Sequence, residues 1–91
     1  MLEKVKLARK ISTDAYDEEL RSLISAGFAE LARCGIIIDD MEEPEVLVER
    51  AVITYVAAHF GTPPDYDRLM EYFNIQVKNL KTSSLYTDWG L

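Results

Sequence analysis

Val46-Leu47-Val48-Glu49-Arg50-Ala51-Val52-Ile53-Thr54-Tyr55-Val56-Ala57-Ala58-His59-Phe60 decides the fold. Only Glu49, Arg50, Thr54 and His59 interrupt its apolar character. At about 100° per residue the first three span an arc of roughly 140°. A helix with so narrow a polar arc must be covered by other elements on most sides, so this stretch predicts a central helix. Pro44 suits the first position of such a helix, where its missing N–H costs nothing. Gly61-Thr62-Pro63-Pro64 ends it, because glycine caps a helix and two prolines cannot continue one.

Working outward, Asp65 is placed to cap a further helix, with Tyr66, Leu69, Met70, Phe73, Val77 and Leu80 as its apolar stripe. Lys78 and Lys81 sit near its negative dipole end. On the N-terminal side, Asp17, Glu18 and Glu19 suit the positive end of a helix whose stripe is Leu20, Leu23, Ile24, Phe28 and Leu31. Gly35, after Arg33, reads as its left-handed cap. Leu2, Val5, Ala8 and Ile11, with Leu7 beside them, form a shorter stripe that stops at Ser12-Thr13-Asp14. Ile36-Ile37-Ile38 is β-branched, but no second alternating run exists to pair with it, so it reads as a buried linker. The expectation is an all-α fold, a small four-helix bundle with short loops, over residues 1–81, and a non-helical C-terminal tail over 82–91.

Thr82, Ser83 and Ser84 offer the backbone alternatives to helix. Leu85, Tyr86 and Trp89 then follow with too few sequence neighbours to bury one another. Large aromatics often anchor interfaces, so Leu85, Tyr86, Thr87, Asp88 and Trp89 are candidate docking residues, the alternative being a tail folded back on its own bundle.

At 91 residues the chain has room for one modest core and too little for a core plus a deep enclosed active site. Hydrophobic residues at 48% and charged residues at 29% argue against disorder over most of the length. The net charge of -6 repels phosphates and disfavours a DNA-binding repressor. One cysteine, Cys34, cannot form an internal disulfide, and no apolar run is long enough to span a bilayer. Residues 1–11 lack the apolar core and cleavage site of a signal peptide, so a reducing interior compartment is expected.

Charge is segregated along the chain. Lys4, Lys6, Arg9 and Lys10 stand against Glu3 near the start, whereas Asp39, Asp40, Glu42, Glu43 and Glu45 form the densest acidic run. The basic residues are candidates for inter-subunit contacts with the acidic ones, in an assembly where one subunit's basic end meets the next one's acidic body. The acidic run lacks the glycine turn and ligand periodicity of an EF-hand loop, so neither a metal nor a cofactor is expected. His59 is the only histidine, no serine or cysteine stands in a nucleophile motif, and the four glycines form no phosphate loop. No enzyme is expected. Tyr55, Tyr66, Tyr72 and Phe73 fall on helical stripes and read as packing residues rather than as a base-stacking platform. Gly27 interrupts the second helix at a cost of roughly 1 kcal/mol against alanine.

The order and spacing of several packing patterns resemble the head-tail connector proteins, also called head-completion or adaptor proteins, of long-tailed bacteriophages and prophages. Leu2-Glu3-Lys4-Val5-Lys6, Ile11-Ser12-Thr13-Asp14 and Asp17-Glu18-Glu19-Leu20 with Leu23-Ile24-Ser25-Ala26 look like that family's first two helices. Leu47 to Val56 with Phe60-Gly61 is similar to its central helix. Tyr66-Asp67-Arg68-Leu69, Leu80-Lys81-Thr82-Ser83 and Tyr86-Thr87-Asp88-Trp89 resemble the ending common in versions from Gram-positive hosts.

The resemblance implies a structural virion protein at the head-tail junction, made in the host cytoplasm. Copies would form a ring of about a dozen under the portal, completing the DNA-filled head and offering a platform to the next head-completion or tail protein. Its partners would be the portal protein and neighbouring copies, with passing DNA contacted only non-specifically and no membrane involved. An acidic lining, with residues 39–45 as candidates, would form a sleeve to which DNA does not adhere. The rival reading from the residues alone is a small helical regulatory or antitoxin-like protein-binding module.

Overall fold

The computed structural model describes residues 1–82, which form four helices: α1 (Leu2–Arg9), α2 (Asp17–Arg33), α3 (Val46–His59) and α4 (Tyr66–Lys81). The described residues contain no strand, as the all-α reading expects. Of the tail expected over 82–91, Thr82 caps α4, and residues 83–91 lie outside the described residues.

As its apolar circumference requires, α3 touches each of the other three helices. It packs most extensively on α4, then on α2, while α1 lies across α2 and α3. Val48, Ala51, Val52 and Val56 of α3 meet Leu20, Ile24, Phe28 and Leu31 of α2 and Phe73, Val77 and Leu80 of α4 in one core. Burying a side chain such as Phe73 or Leu20 fully is worth about 1.5–3 kcal/mol. The polar arc is narrower than the sequence suggests, because Thr54 is also buried. Its Oγ1 donates to the Arg50 carbonyl oxygen at 3.0 Å, which satisfies the hydroxyl within the helix.

Helix ends follow from local chemistry. After α2, the Gly35 N–H donates to the Ala32 carbonyl and the Ile36 N–H to the Leu31 carbonyl, each at 3.0 Å, with Gly35 at φ 91°. This is the paired closure that a left-handed residue makes possible, and it directs Ile36 into the core. α1 closes in the same manner through Lys10, at φ 58°, with the Ile11 N–H donating to the Lys6 carbonyl at 2.9 Å.

Three expectations are corrected. Pro44 is not the first residue of α3, which starts at Val46 after an extended Glu45 at ψ 149°. Asp40 Oδ1 accepts the backbone N–H groups of Glu42 (2.9 Å) and Glu43 (3.3 Å), and this loop turn holds the chain out of helix until Glu45. Asp65 marks the start of α4, but its carboxylate accepts from Arg68 at 2.9 Å and makes no capping bond. The triple isoleucine is only partly a buried linker: Ile36 is in the core and Ile38 packs against it, but Ile37 is exposed.

Gly27 allows a close crossing of α2 over α3. A Cβ there would stand 3.3 Å from Tyr55 Cδ1 and 3.4 Å from Val52 Cγ1. The helix cost of glycine is thus offset by contact between the two central helices.

Candidate interaction surfaces

The basic first helix turns out to be tied into its own subunit. Lys6 is 8% exposed, and its Nζ lies 2.9 Å from Asp14 Oδ1, in the turn before α2, and 2.8 Å from Asp17 Oδ1, at the start of α2. These partners raise the Lys6 ammonium well above its ordinary range, Asp17 most and then Asp14, and Lys6 in turn lowers the Asp14 carboxyl. Lys4 Nζ lies 3.1 Å from Glu49 Oε2 on α3 and 3.9 Å from Glu43 Oε2 on the acidic loop. Its bond to Glu49 raises the Lys4 ammonium. Basic end and acidic middle therefore meet inside one molecule. Of the four candidate inter-subunit cations, Lys6 is buried and Lys4 already paired. Arg9 and Lys10 are exposed and form no ion pair among the described residues.

Asp39, Asp40, Glu42, Glu43 and Glu45 are all exposed. Asp39, Asp40, Glu43 and Glu45 line a cavity of about 350 Å³ together with Ile38, Pro44 and Val48. Among the described residues, no three of His, Cys, Asp and Glu converge as a metal site.

Aromatic residues divide between core and surface. Tyr55 packs on Phe73, ring centroids 5.5 Å apart, and on His59 at 4.2 Å, and His59 meets the edge of Tyr66 at 5.5 Å. Burial raises the Tyr55 phenol above its ordinary value. Phe73 and Tyr55 are packing residues as expected, and Tyr66, though partly exposed, packs its edge on His59, whereas Tyr72 is exposed, which corrects its assignment. The reason is that α4 packs chiefly on α3. One neighbour covers the Phe73-Val77-Leu80 stripe and leaves the adjoining one bare.

That bare face was not anticipated from the sequence. Leu47 (50% exposed), Tyr72 (54%) and Ile75 (49%) line a groove of about 140 Å³ between the start of α3 and the end of α4, together with Arg50, Gln76 and Asn79. A usable signal was present, since Tyr72 and Ile75 are three apart, as are Leu47 and Arg50. The docking candidates Leu85, Tyr86, Thr87, Asp88 and Trp89 lie outside the described residues.

A core with exposed apolar and charged faces fits a protein whose work is contact with other proteins. The model of a family described as phage connector protein matches residues 1–86. The chain belongs to this family. No curated protein and no solved structure matches it. The match takes in all four helices of the connector and runs on through Tyr86, past the end of α4. Membership makes the connector a phage structural component. Among the described residues, no helix is long and apolar enough to cross a membrane.

Proposed function

We propose that the connector forms a ring of about a dozen copies beneath the portal at the DNA-exit vertex, completing the filled head and presenting a platform for the tail. The carrying observation is the family match across residues 1–86 of a chain whose described residues form four helices. On this reading residues 85–89 are the docking segment, gripping the portal or a neighbouring subunit through Leu85, Tyr86 and Trp89. The acidic loop at 39–45 faces the channel or an adjoining subunit, where its charge keeps passing DNA from adhering. Arg9 and Lys10 remain available to meet acidic residues of a neighbour, a contact that salt would weaken. The role is structural and involves no turnover, metal or cofactor.

Binding to purified capsids that carry a portal tests the reading. Truncation of a true interface anchor costs ~2 kcal/mol or more. Deleting residues 82–91 is therefore expected to lower portal binding by well over tenfold while helical circular dichroism and melting stay nearly unchanged. A truncated protein that is destabilised yet binds capsids normally would refute docking by the tail.

A further inference from the structure

The groove between α3 and α4 has apolar walls, one cation and two side-chain amides. Leu47, Tyr72 and Ile75 supply the apolar surface, and Arg50 stands at the edge. Gln76, also in the lining, has its amide oxygen buried without a hydrogen-bond partner among the described residues. The wanted occupant is thus an apolar or aromatic segment that carries a negative charge and at least one spare donor.

Residues 85–89 have that composition. Leu85, Tyr86 and Trp89 are large and apolar, Asp88 is an anion for Arg50, and the tyrosine hydroxyl and indole N–H are donors of the kind Gln76 lacks. The segment is also long enough to cross the groove. Tyr72 to Leu80 spans about 12 Å of helix, and five extended residues reach roughly 17 Å. We infer that the groove receives residues 85–89 of a second copy of the chain. The inference rests on the ring reading, within which each subunit gives its tail to one neighbour and takes a tail from the other.

Exchange between copies is favoured over self-insertion by what a ring needs. Copies that each carry a charge of -6 repel one another, so their contact must be apolar and directed. A head-to-tail ring needs two different complementary surfaces on one chain, and the tail and the groove are such a pair. Each contact is small, with about 150–250 Å² buried per aromatic side chain. Isolated pairs are accordingly weak, and a ring held on a portal template gains from closing many of them at once.

Disulfide trapping in the full-length chain distinguishes the possibilities. On a Cys34→Ser background, one protein carries Asn79→Cys at the groove rim and another carries Gly90→Cys beside the tail anchors. The two are mixed at high concentration and on portal-bearing capsids, under a mild oxidant. Mixed covalent dimers are expected in clear excess over either like pair, and Ile75→Asp in the Asn79→Cys partner should cut their yield at least tenfold. Ile75 is half exposed, so this change spares the core. A protein carrying both cysteines should give a ladder of multimers.

A double-cysteine monomer closed on itself, with no ladder, would show self-insertion and overturn the inference, as would the absence of preferential mixed dimers. Capsid binding of the same proteins is scored separately. Intact binding without the 79–90 bond removes only the groove assignment, whereas loss of portal binding by the protein without engineered cysteines removes the ring reading itself.

Discussion

α1 and α3 are held in the same molecule by different physics. α3 buries Val48, Ala51, Val52, Val56, Ala57 and Ala58, whereas α1 fully buries one apolar side chain, Val5, packs Leu2 partly against the core, and is moored by Lys6 to Asp14 and Asp17 and by Lys4 to Glu49. Apolar burial is indifferent to pH and modest salt, and ion pairs are not. Fold stability therefore resides in the α2/α3/α4 core, while the seating of α1 is the adjustable part of the subunit.

The largest expected effect lies on the α3 side of this contrast. Phe73→Ala removes a fully buried ring from the α3/α4 contact and should cost about 3–5 kcal/mol, a large share of a small domain's stability. Denaturant unfolding with a loss under 1 kcal/mol would break the claim that this contact holds the fold. Next comes the α2/α3 crossing. Gly27→Leu forces atoms into the space between Tyr55 and Val52 and should cost about 1–3 kcal/mol. Gly27→Ala should stay near neutral, its helix gain offsetting a 3.3 Å contact with Tyr55.

The smallest global effect is expected at α1. Lys6→Met keeps the stem but removes the ammonium from Asp14 and Asp17. Amide exchange should quicken in α1 with little change in α3 and a small fall in melting temperature. Titration sharpens the same point. The Asp14 carboxyl is lowered by Lys6, so its contribution is present at neutral pH and is lost as pH falls below about 4. The Lys6 ammonium is raised, so its contribution holds below about pH 10 and is lost only above that. Acid well below pH 4 should thus loosen α1 before the core melts, and an α1 amide protection unchanged between neutral pH and about pH 2 would contradict this.

The sequence made the helix boundaries legible wherever a residue acts alone. Gly35 and the Gly61-Thr62-Pro63-Pro64 break each fall where the structure stops a helix, because their backbone preferences need no tertiary partner, whereas Ser12-Thr13-Asp14, whose capping chemistry points to the start of the second helix, precede it, since α2 begins at Asp17. Pro44 misled because the Asp40 side chain, through two backbone bonds, delays α3 to Val46. The α3/α4 groove was not legible for a related reason. Periodicity shows which residues share a helix face, but whether Tyr72 and Ile75 are covered depends on how many helices flank α4. Likewise the charge of Lys6 reads as a surface feature until α2 is seen to bring Asp17 against it.

Counting connector copies per capsid tests the central claim most directly. Purified protein titrated onto portal-bearing capsids, and onto capsids that lack the portal, is measured by quantitative mass after removal of unbound chains. The account predicts saturation near a dozen copies per portal vertex and no retention without a portal. Equal retention on both kinds of capsid, or no retention on either, would contradict it.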